Sequence, residues 1–409
     1  MKLIVPGNTE RLRHQRVVKE SNIKQVFDLV FGDEGISRIE ISKKTRLSRS
    51  TVSLLTDELI RIGLIKMTGS QDSETSGRKG IKLEINAAHF QFITLGLKKE
   101  YLRYALYDLK GNEIESFNKK IIYKKGCGKK IWNHITKISK NMDRGKVLAI
   151  CASIPAKINN QDKTVDLSVL DIEENCELLR ELKSMAPELP LLAGNQSSAY
   201  AYAEYTYTFH DKGRDLIYFN IDEGVAAGIL INGKVFTGEI GHMSIDPQGV
   251  LCSCGRQGCL ENIVGRNAIL REFVSLIPKN PLLRNMVKSG ELNYGHIKKA
   301  IDIGDRETIR TAGGIAEKIA FGISNVICMF DPERILLGGG IEELGDAFLH
   351  MILAKVRIPG DGGICSSDNS HISYAALGSN ADLKGVFRYF LDNIFTITRK
   401  TENKIHGWN

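Results

Sequence analysis

A chain of 409 residues, 42% hydrophobic and 25% charged with 39 Gly but only 9 Pro, has the make-up of an ordinary globular protein and excludes collagen-like, disordered and membrane-spanning classes. Its length corresponds to about two to three domains. The formal charge of +8 is uneven, because residues 1–88 hold 16 Lys+Arg against 11 Asp+Glu, and a local basic face attracts phosphate where a dispersed one does not.

The opening MKLIVPGNTERLRHQR has no apolar run of signal-peptide length, and no uncharged apolar stretch of about 18 residues follows. The expectation is a cytoplasmic protein with no membrane partner. In residues 22–31, Ile23, Val26, Phe27 and Val30 recur at spacings of three and four, one apolar face of a helix. A second short helix fits Arg38–Thr45. Ser48 then offers an N-cap oxygen, and Val52, Leu55, Leu59 and Ile62 keep helical intervals until Gly63. Leu64–Met67 and Ile81–Ile85 read as two short strands around the polar turn GSQDSETSGRKG.

This order predicts a winged helix-turn-helix whose third helix enters the major groove of DNA. Its early turns present Arg49, Ser50, Thr51 and Ser53 as candidate base and phosphate contacts, and Arg78 and Lys79 on the wing add candidate phosphate contacts. A protein-interaction module with a solvated charged face is the bland alternative.

From about residue 90 strands alternate with helices. FITLGL and LRYALYDLKGNEI read as strand, turn, strand; KVLAICASIP and LPLLAGNQ are strands, the latter feeding the helix SSAYAYAEYTY. LIYFNIDEGVAAGILINGKVF reads as a hairpin, KIAFGISNVICMF as a helix whose Ile319, Ile323 and Ile327 are core, RILLGGG as a strand, and Asp382–Phe395 as a closing helix. The alternation predicts an α/β body. Of eight cysteines, Cys127, Cys151, Cys176, Cys328 and Cys365 are scattered, while Cys252, Cys254 and Cys259 cluster. In a reducing compartment such clustering points to a metal site.

Three segments resemble the ROK family of repressors and sugar kinases: Gly238–His242 (GEIGH) followed by Cys252–Glu261 (CSCGRQGCLE), Phe330–Ile341 (FDPERILLGGGI) and Leu377–Phe387 (LGSNADLKGVF). The resemblance covers nearly the whole chain and implies a two-lobed actin and hexokinase-like body behind the winged helix. The expected domains are 1–88 (winged helix), 89–200 (first lobe), 201–378 (second lobe with the zinc loop) and 379–409 (a C-terminal helix returning to the first lobe).

His242, Cys252, Cys254 and Cys259 supply one imidazole and three thiolates, a closed tetrahedral set for a structural Zn²⁺. Gly255 and Gly258 permit the turns between them. The resemblance implies a sugar pocket of Asn195, Glu239, His242 and Glu261, with His242 able to bind metal through one ring nitrogen and ligand through the other. It also implies that kinase chemistry is lost. The catalytic Asp is replaced by Gln196, which has no useful basicity. The first phosphate loop reads Thr94 to Lys98 without acid, second Gly or Thr, and the second reads Asp222 to Gly228 with two acids where an anion would sit. Pro155-Ala156 and the short run Phe236-Thr237 before Gly238 also depart from the family pattern.

The reading is a non-enzymatic, sugar-responsive transcriptional regulator, a repressor binding operator DNA as a homodimer, with a dimer of dimers as a larger alternative. A divergent ATP-dependent sugar kinase with an appended DNA-binding domain, and a regulator with a vestigial pocket, are the rivals.

Overall fold

The computed structural model describes residues 10–70, 81–99, 101–158, 165–166, 177–209, 215–287, 291–357, 371–397 and 405–407. Contacts divide the chain into two units, one of residues 1–194 with 386–408 and the other of residues 195–385.

The first unit opens with α1 (Glu10–Gly32), which buries Ile23, Val26, Phe27 and Val30 as the spacing requires and begins well before the expected residue 22. β1 (Ile36–Ser37) leads into α2 (Arg38–Thr45), where Ser37 and Glu40 form a reciprocal capping box. In α3 (Arg49–Arg61) the Ser48 hydroxyl accepts the Thr51 N–H at 3.1 Å. The helix stops before Gly63, whose φ of +82° and position against the His89 ring, 2.2 Å from where a Cβ would stand, require glycine. β2 (Ile65–Ser70) and β3 (Ile81–Ile85) pair antiparallel and complete a sheet of order β1-β3-β2. Three helices and this small sheet form the winged helix-turn-helix arrangement.

β4 (Gln91–Leu97), β5 (Tyr101–Asp108) and β6 (Glu113–Lys120) follow as an antiparallel meander, then α4 (Cys127–Ile138), β7 (Val147–Ile154), β8 (Lys157–Ile158), β9 (Val165–Asp166), α5 (Leu178–Met185) and β10 (Leu191–Asn195). α4 was not anticipated; it buries Ile131, Trp132 and Ile135 and faces solvent with Lys129, Lys130 and Lys137.

The second unit contains α6 (Gln196–Tyr207), β11 (Leu216–Ile221), β12 (Val225–Ile231), β13 (Lys234–Gly238), α7 (Leu260–Val264), α8 (Arg266–Val274), α9 (Pro281–Met286), α10 (Tyr294–Asp302), α11 (Arg306–Phe330), β14 (Arg334–Gly338), α12 (Gly345–Leu353) and β15 (Ile372–Tyr374). Its sheet runs β13-β12-β11-β14-β15, antiparallel on one side of β11 and parallel on the other. The expected hairpin is thus continued by β13. α6 lies close on β12, because Gly228 leaves room for the Ser197 carbonyl, 2.1 Å from where a Cβ would stand. α11 is long and apolar enough to cross a membrane by length and composition, yet its Ile315, Ile319, Ile323 and Ile327 are buried in the core of this unit.

α13 (Ala381–Asp392), α14 (Ile394–Ile397) and β16 (Ile405–Gly407) end the chain, and β16 pairs parallel with β10. The first unit's large sheet is therefore β16-β10-β7-β4-β5-β6. Within that unit the N-terminal module is fastened to the sheet domain at several points. Phe27 meets Phe395 edge-on at 5.8 Å, and the Arg388 guanidinium lies 4.4 Å over the Phe31 ring. The Leu109 N–H donates to the Ala87 carbonyl, and Lys110 pairs with Glu34.

Candidate functional site

The turn between α2 and α3 and the first turns of α3 form the outward edge of the module. Arg49 and Ser50 are exposed, while Thr51 and Ser53 are half-buried. The Ser48 hydroxyl lies 2.8 Å from both the Ser50 and Thr51 hydroxyls, so these side chains are held in one polar cluster at the helix start. Two further groups on this edge escaped the sequence reading. Leu54 is 72% exposed, and Arg46, in the left-handed region at φ +60°, is exposed at the end of α2. An apolar residue left in water on a recognition helix suits a thymine methyl. Arg78 and Lys79 lie outside the described residues.

In the second unit, β13 delivers the chain into a 3-10 turn, Ile240–His242, and a tight loop returns to α7 at Cys259. Gly258, at φ +64°, passes so near the Asp246 carbonyl that a Cβ would stand 1.6 Å from its oxygen. Backbone bonds from Cys252 N–H to the Arg256 carbonyl and from Ile245 N–H to the Gly258 carbonyl close the loop.

This folding gathers His242, Cys252, Cys254 and Cys259 with one donor atom of each within 4.8 Å of the others. The His242 Nδ1 is 3.7 Å from the Cys252 sulfur, and the Cys254 and Cys259 sulfurs are 3.6 Å apart. A tetrahedral Zn²⁺ with Zn–S bonds of about 2.3 Å requires ligand separations of about 3.8 Å, so the set fits the ion. Burial holds the Cys259 thiol above its ordinary value, whereas the Arg256 backbone N–H lowers that of Cys254. A bound cation offsets the cost of the buried thiolate.

The candidate pocket residues fall within the second unit, which begins at Asn195, the last residue of β10. Asn195 caps α6, its Oδ1 accepting the N–H groups of Ser197 and Ser198 at 3.0 and 3.2 Å. Glu261, on α7, accepts the Val225 N–H at 3.0 Å through Oε2 and lies beside Gly224. Glu239 is exposed just before the 3-10 turn, and His242 is half-buried with Nδ1 facing the thiolates. The turn, α7 and β12 pack on one another, while α6 packs on β12 and β13.

Of the positions expected to have lost kinase chemistry, Glu223 is exposed, while Gln196, Thr94, Gly96 and Asp222 are engaged otherwise. Gln196 is 2% exposed and its Nε2 donates at 3.0 Å to Oδ2 of Asp382, which is wholly buried. The buried Thr94 hydroxyl donates to the Ala105 carbonyl, and the Arg103 guanidinium covers Gly96. Asp222 is not an open acid: Arg266 lies 3.6 Å from it, 3.4 Å from Glu343 and 4.6 Å over the Tyr294 ring. Arg266 also fills the space at Gly340, with Nη2 2.4 Å from where a Cβ would stand. Glu204, 1% exposed, accepts the N–H groups of Ala376 and Leu377 and the Thr208 hydroxyl, which makes it a structural pin.

A winged helix followed by a sugar-kinase-like α/β body defines the class. The ROK family profile matches residues 94–392, and the chain belongs to that family. It is 30% identical to the xylose repressor of Caldicellulosiruptor bescii over 349 residues, 82% of this chain and 87% of the relative. It is 25% identical to the DNA-binding transcriptional dual regulator NagC of Escherichia coli, over 85% and 87% of the two chains. Among solved structures, a ROK family transcriptional regulator described as a homolog of the E. coli MLC protein superposes with a TM-score of 0.79 at 24% identity, covering 94% of this chain and 99% of the other. A ROK glucokinase from Streptomyces griseus, in complex with glucose and AMPPNP, gives 0.62 at 22% identity over 73% and 98%. At 94% of the chain the first likeness takes in most of residues 1–88, whereas the second leaves about a quarter of the chain uncovered.

Proposed function

We propose that the protein is a cytoplasmic transcriptional repressor that binds operator DNA as a homodimer through two winged helices and responds to a small sugar or sugar derivative. The observation that carries this reading is the union of an exposed recognition edge with a kinase-like body whose general-base position, Gln196, is tied to a buried carboxylate. The names of the repressor relatives agree with it.

Arg49, Ser50, Thr51, Ser53 and Leu54 would face the major groove, and Arg46, Arg78 and Lys79 phosphate. Asn195, Glu239, His242 and Glu261 would hold the sugar, carboxylates accepting from adjacent hydroxyls and the amide serving as donor or acceptor. Zinc, held by His242 and the three cysteines, would supply structural closure of the loop and fix the His242 ring. Glu261 also holds the Val225 N–H, and the Asp222–Val225 turn is bound through Asp222 to Arg266. A sugar that draws on Glu261 would shift this turn and favour a dimer geometry whose recognition helices no longer match the half-site spacing.

The test is an electrophoretic shift on the DNA upstream of the gene across a salt series, with and without a sugar panel, read beside thermal shifts with the same sugars. Specific binding that weakens with salt and is released by one sugar is expected. Arg49→Ala should weaken it by about 1–3 kcal/mol. Absence of specific binding at low salt, or ATP-dependent turnover of a hexose, overturns the reading.

A further inference from the structure

We propose that the outer face of the first unit's sheet domain, formed by the end of β6, the loop after it and α4, is a docking surface for an anionic lipid bilayer. Residues 89–146 carry 14 Lys+Arg against 5 Asp+Glu, a net +9 that exceeds the +5 of residues 1–88, while residues 147–409 carry −6. Within this region residues 116–142 hold eight lysines and no Asp, Glu or Arg. The basic balance of the chain therefore belongs more to the body than to the winged helix.

The fold turns this run into a surface. α4 lies over the β5–β6 pair, with Tyr104 stacked on Phe117 at 4.4 Å and Phe117 meeting the His134 ring edge-on at 6.0 Å. Burial, with the nearby charges of Lys119 and Lys137, lowers the His134 pKa, so lysines of both elements act on one place. Ile131, Trp132 and Ile135 face inward and leave Lys129, Lys130 and Lys137 outward. Lys119, Lys120, Lys125, Lys129, Lys130 and Lys137 are exposed and make no ion pair among the described residues. Ile122 projects among them, 72% exposed.

The make-up of the patch selects its occupant. Protein interfaces favour Arg and aromatic anchors and are depleted in Lys, and this run has no Arg and keeps Trp132 and Tyr123 buried. Lysines on an edge strand guard against strand pairing, which accounts for Lys119 and Lys120 on β6 but not for those on the helix. Operator DNA is disfavoured by position. The winged helix is fastened at Lys110, at the start of the β5–β6 turn, and the Lys119 end of β6 lies a strand length away, about 25 Å. The carboxylates that reach this face, Glu181 and Glu115, are turned to backbone N–H groups and a hydroxyl at the two ends of α4 and pair with none of these six lysines. A lysine-rich cluster of this kind, with one exposed aliphatic side chain, suits a diffuse anionic bilayer, where each lysine near the surface changes partitioning roughly fivefold. No spanning segment is needed, so the sequence expectation of no membrane partner, drawn from the lack of such a segment, does not bear on peripheral contact.

The test uses the full chain with vesicles of phosphatidylcholine alone and of phosphatidylcholine mixed with phosphatidylglycerol. The protein should sediment with the mixed vesicles and not with the neutral ones, and added salt should release it. The variant K119Q/K120Q/K129Q/K130Q should partition roughly several hundredfold more weakly, with an unchanged melting midpoint showing that it folds. Arg49→Ala should sediment as the parent does, which separates the patch from the charge of the winged helix. Failure of the parent to bind mixed vesicles, or equal binding by the quadruple variant, overturns the proposal. So does a fall in the salt slope of operator binding in that variant, because the lysines would then be phosphate contacts.

Discussion

Replacing Gln196 with aspartate restores the residue that the family resemblance assigns as general base, and the structure gives a reason why activity should not return. In the parent, the Gln196 amide donates at 3.0 Å to the Asp382 carboxylate, with both side chains almost fully removed from solvent. Such a charge-assisted bond is worth about 1.5–3 kcal/mol. Gln196→Asp removes the donor and sets a second carboxylate in its place. At about 3.5 Å and an effective dielectric constant near 20, two like charges repel by roughly 4–5 kcal/mol. The pair escapes part of this by retaining one shared proton, which leaves a net destabilisation of about 3 kcal/mol near neutral pH. The native variant then binds a proton that the unfolded chain releases, so its stability falls as pH rises and recovers as pH falls. Denaturant unfolding of parent and variant at several pH values between about 5 and 8 reads this directly. The difference should grow with pH, and the variant should phosphorylate no sugar. A variant as stable as the parent at every pH, or one that transfers phosphate from ATP, would refute the argument.

Metal analysis of purified protein should find about one zinc per chain, and Cys259→Ser should lose it and lower the melting midpoint, as chelation should in the parent. Glu204→Gln can keep its Oε1 on the Ala376 and Leu377 N–H groups and donate its NH₂ to the Thr208 hydroxyl, so it gives up only the charge on these bonds; a loss of about 1 kcal/mol in chemical unfolding is expected, against about 3 kcal/mol for Glu204→Ala. Ser37→Ala should cost about 1 kcal/mol by removing the cap of α2. Hydrogen bonds from the Ser37 backbone and side chain lower the Glu40 pKa. That contribution is present above the unfolded-state pKa and lost as pH falls through the folded value, so the Ser37→Ala deficit should shrink in acid.

The legible parts of the fold are those whose signals are local. Ser48 and Gly63 bracket α3 because a hydroxyl cap and a left-handed turn are read within a few residues, and the metal set is visible because its four donors fall within eighteen positions. α4 starts at Gly126 with no capping side chain and has lysine pairs at its start, so its apolar face passed unnoticed. β16 has no signal of its own; it exists by pairing with β10, more than two hundred residues earlier. The site divides in the same way. Loss of the catalytic acid is a single-residue fact, whereas the partners that give Gln196 and Arg266 their roles, Asp382 and Glu343, lie 186 and 77 positions away. The charge of the body is hidden in the whole-chain balance, because the +9 of residues 89–146 is offset by the −6 of residues 147–409.

Only the short turn Ala87–His89 and its flanking residues separate β3 from β4, and ring, ion-pair and backbone contacts bridge the same junction. The module thus has no slack with which to search for its site independently of the sheet behind it. Arg49 stands at the far end of a helix about 20 Å long whose other end abuts His89. A tilt of about 5° in that sheet would carry the guanidinium by nearly 2 Å along this lever, comparable to the tolerance of a base contact. Stiffness at this joint makes orientation itself the message: on the function proposed above, a flexible insert between Ile85 and Gln91 is expected to leave DNA binding in place and abolish its response to sugar.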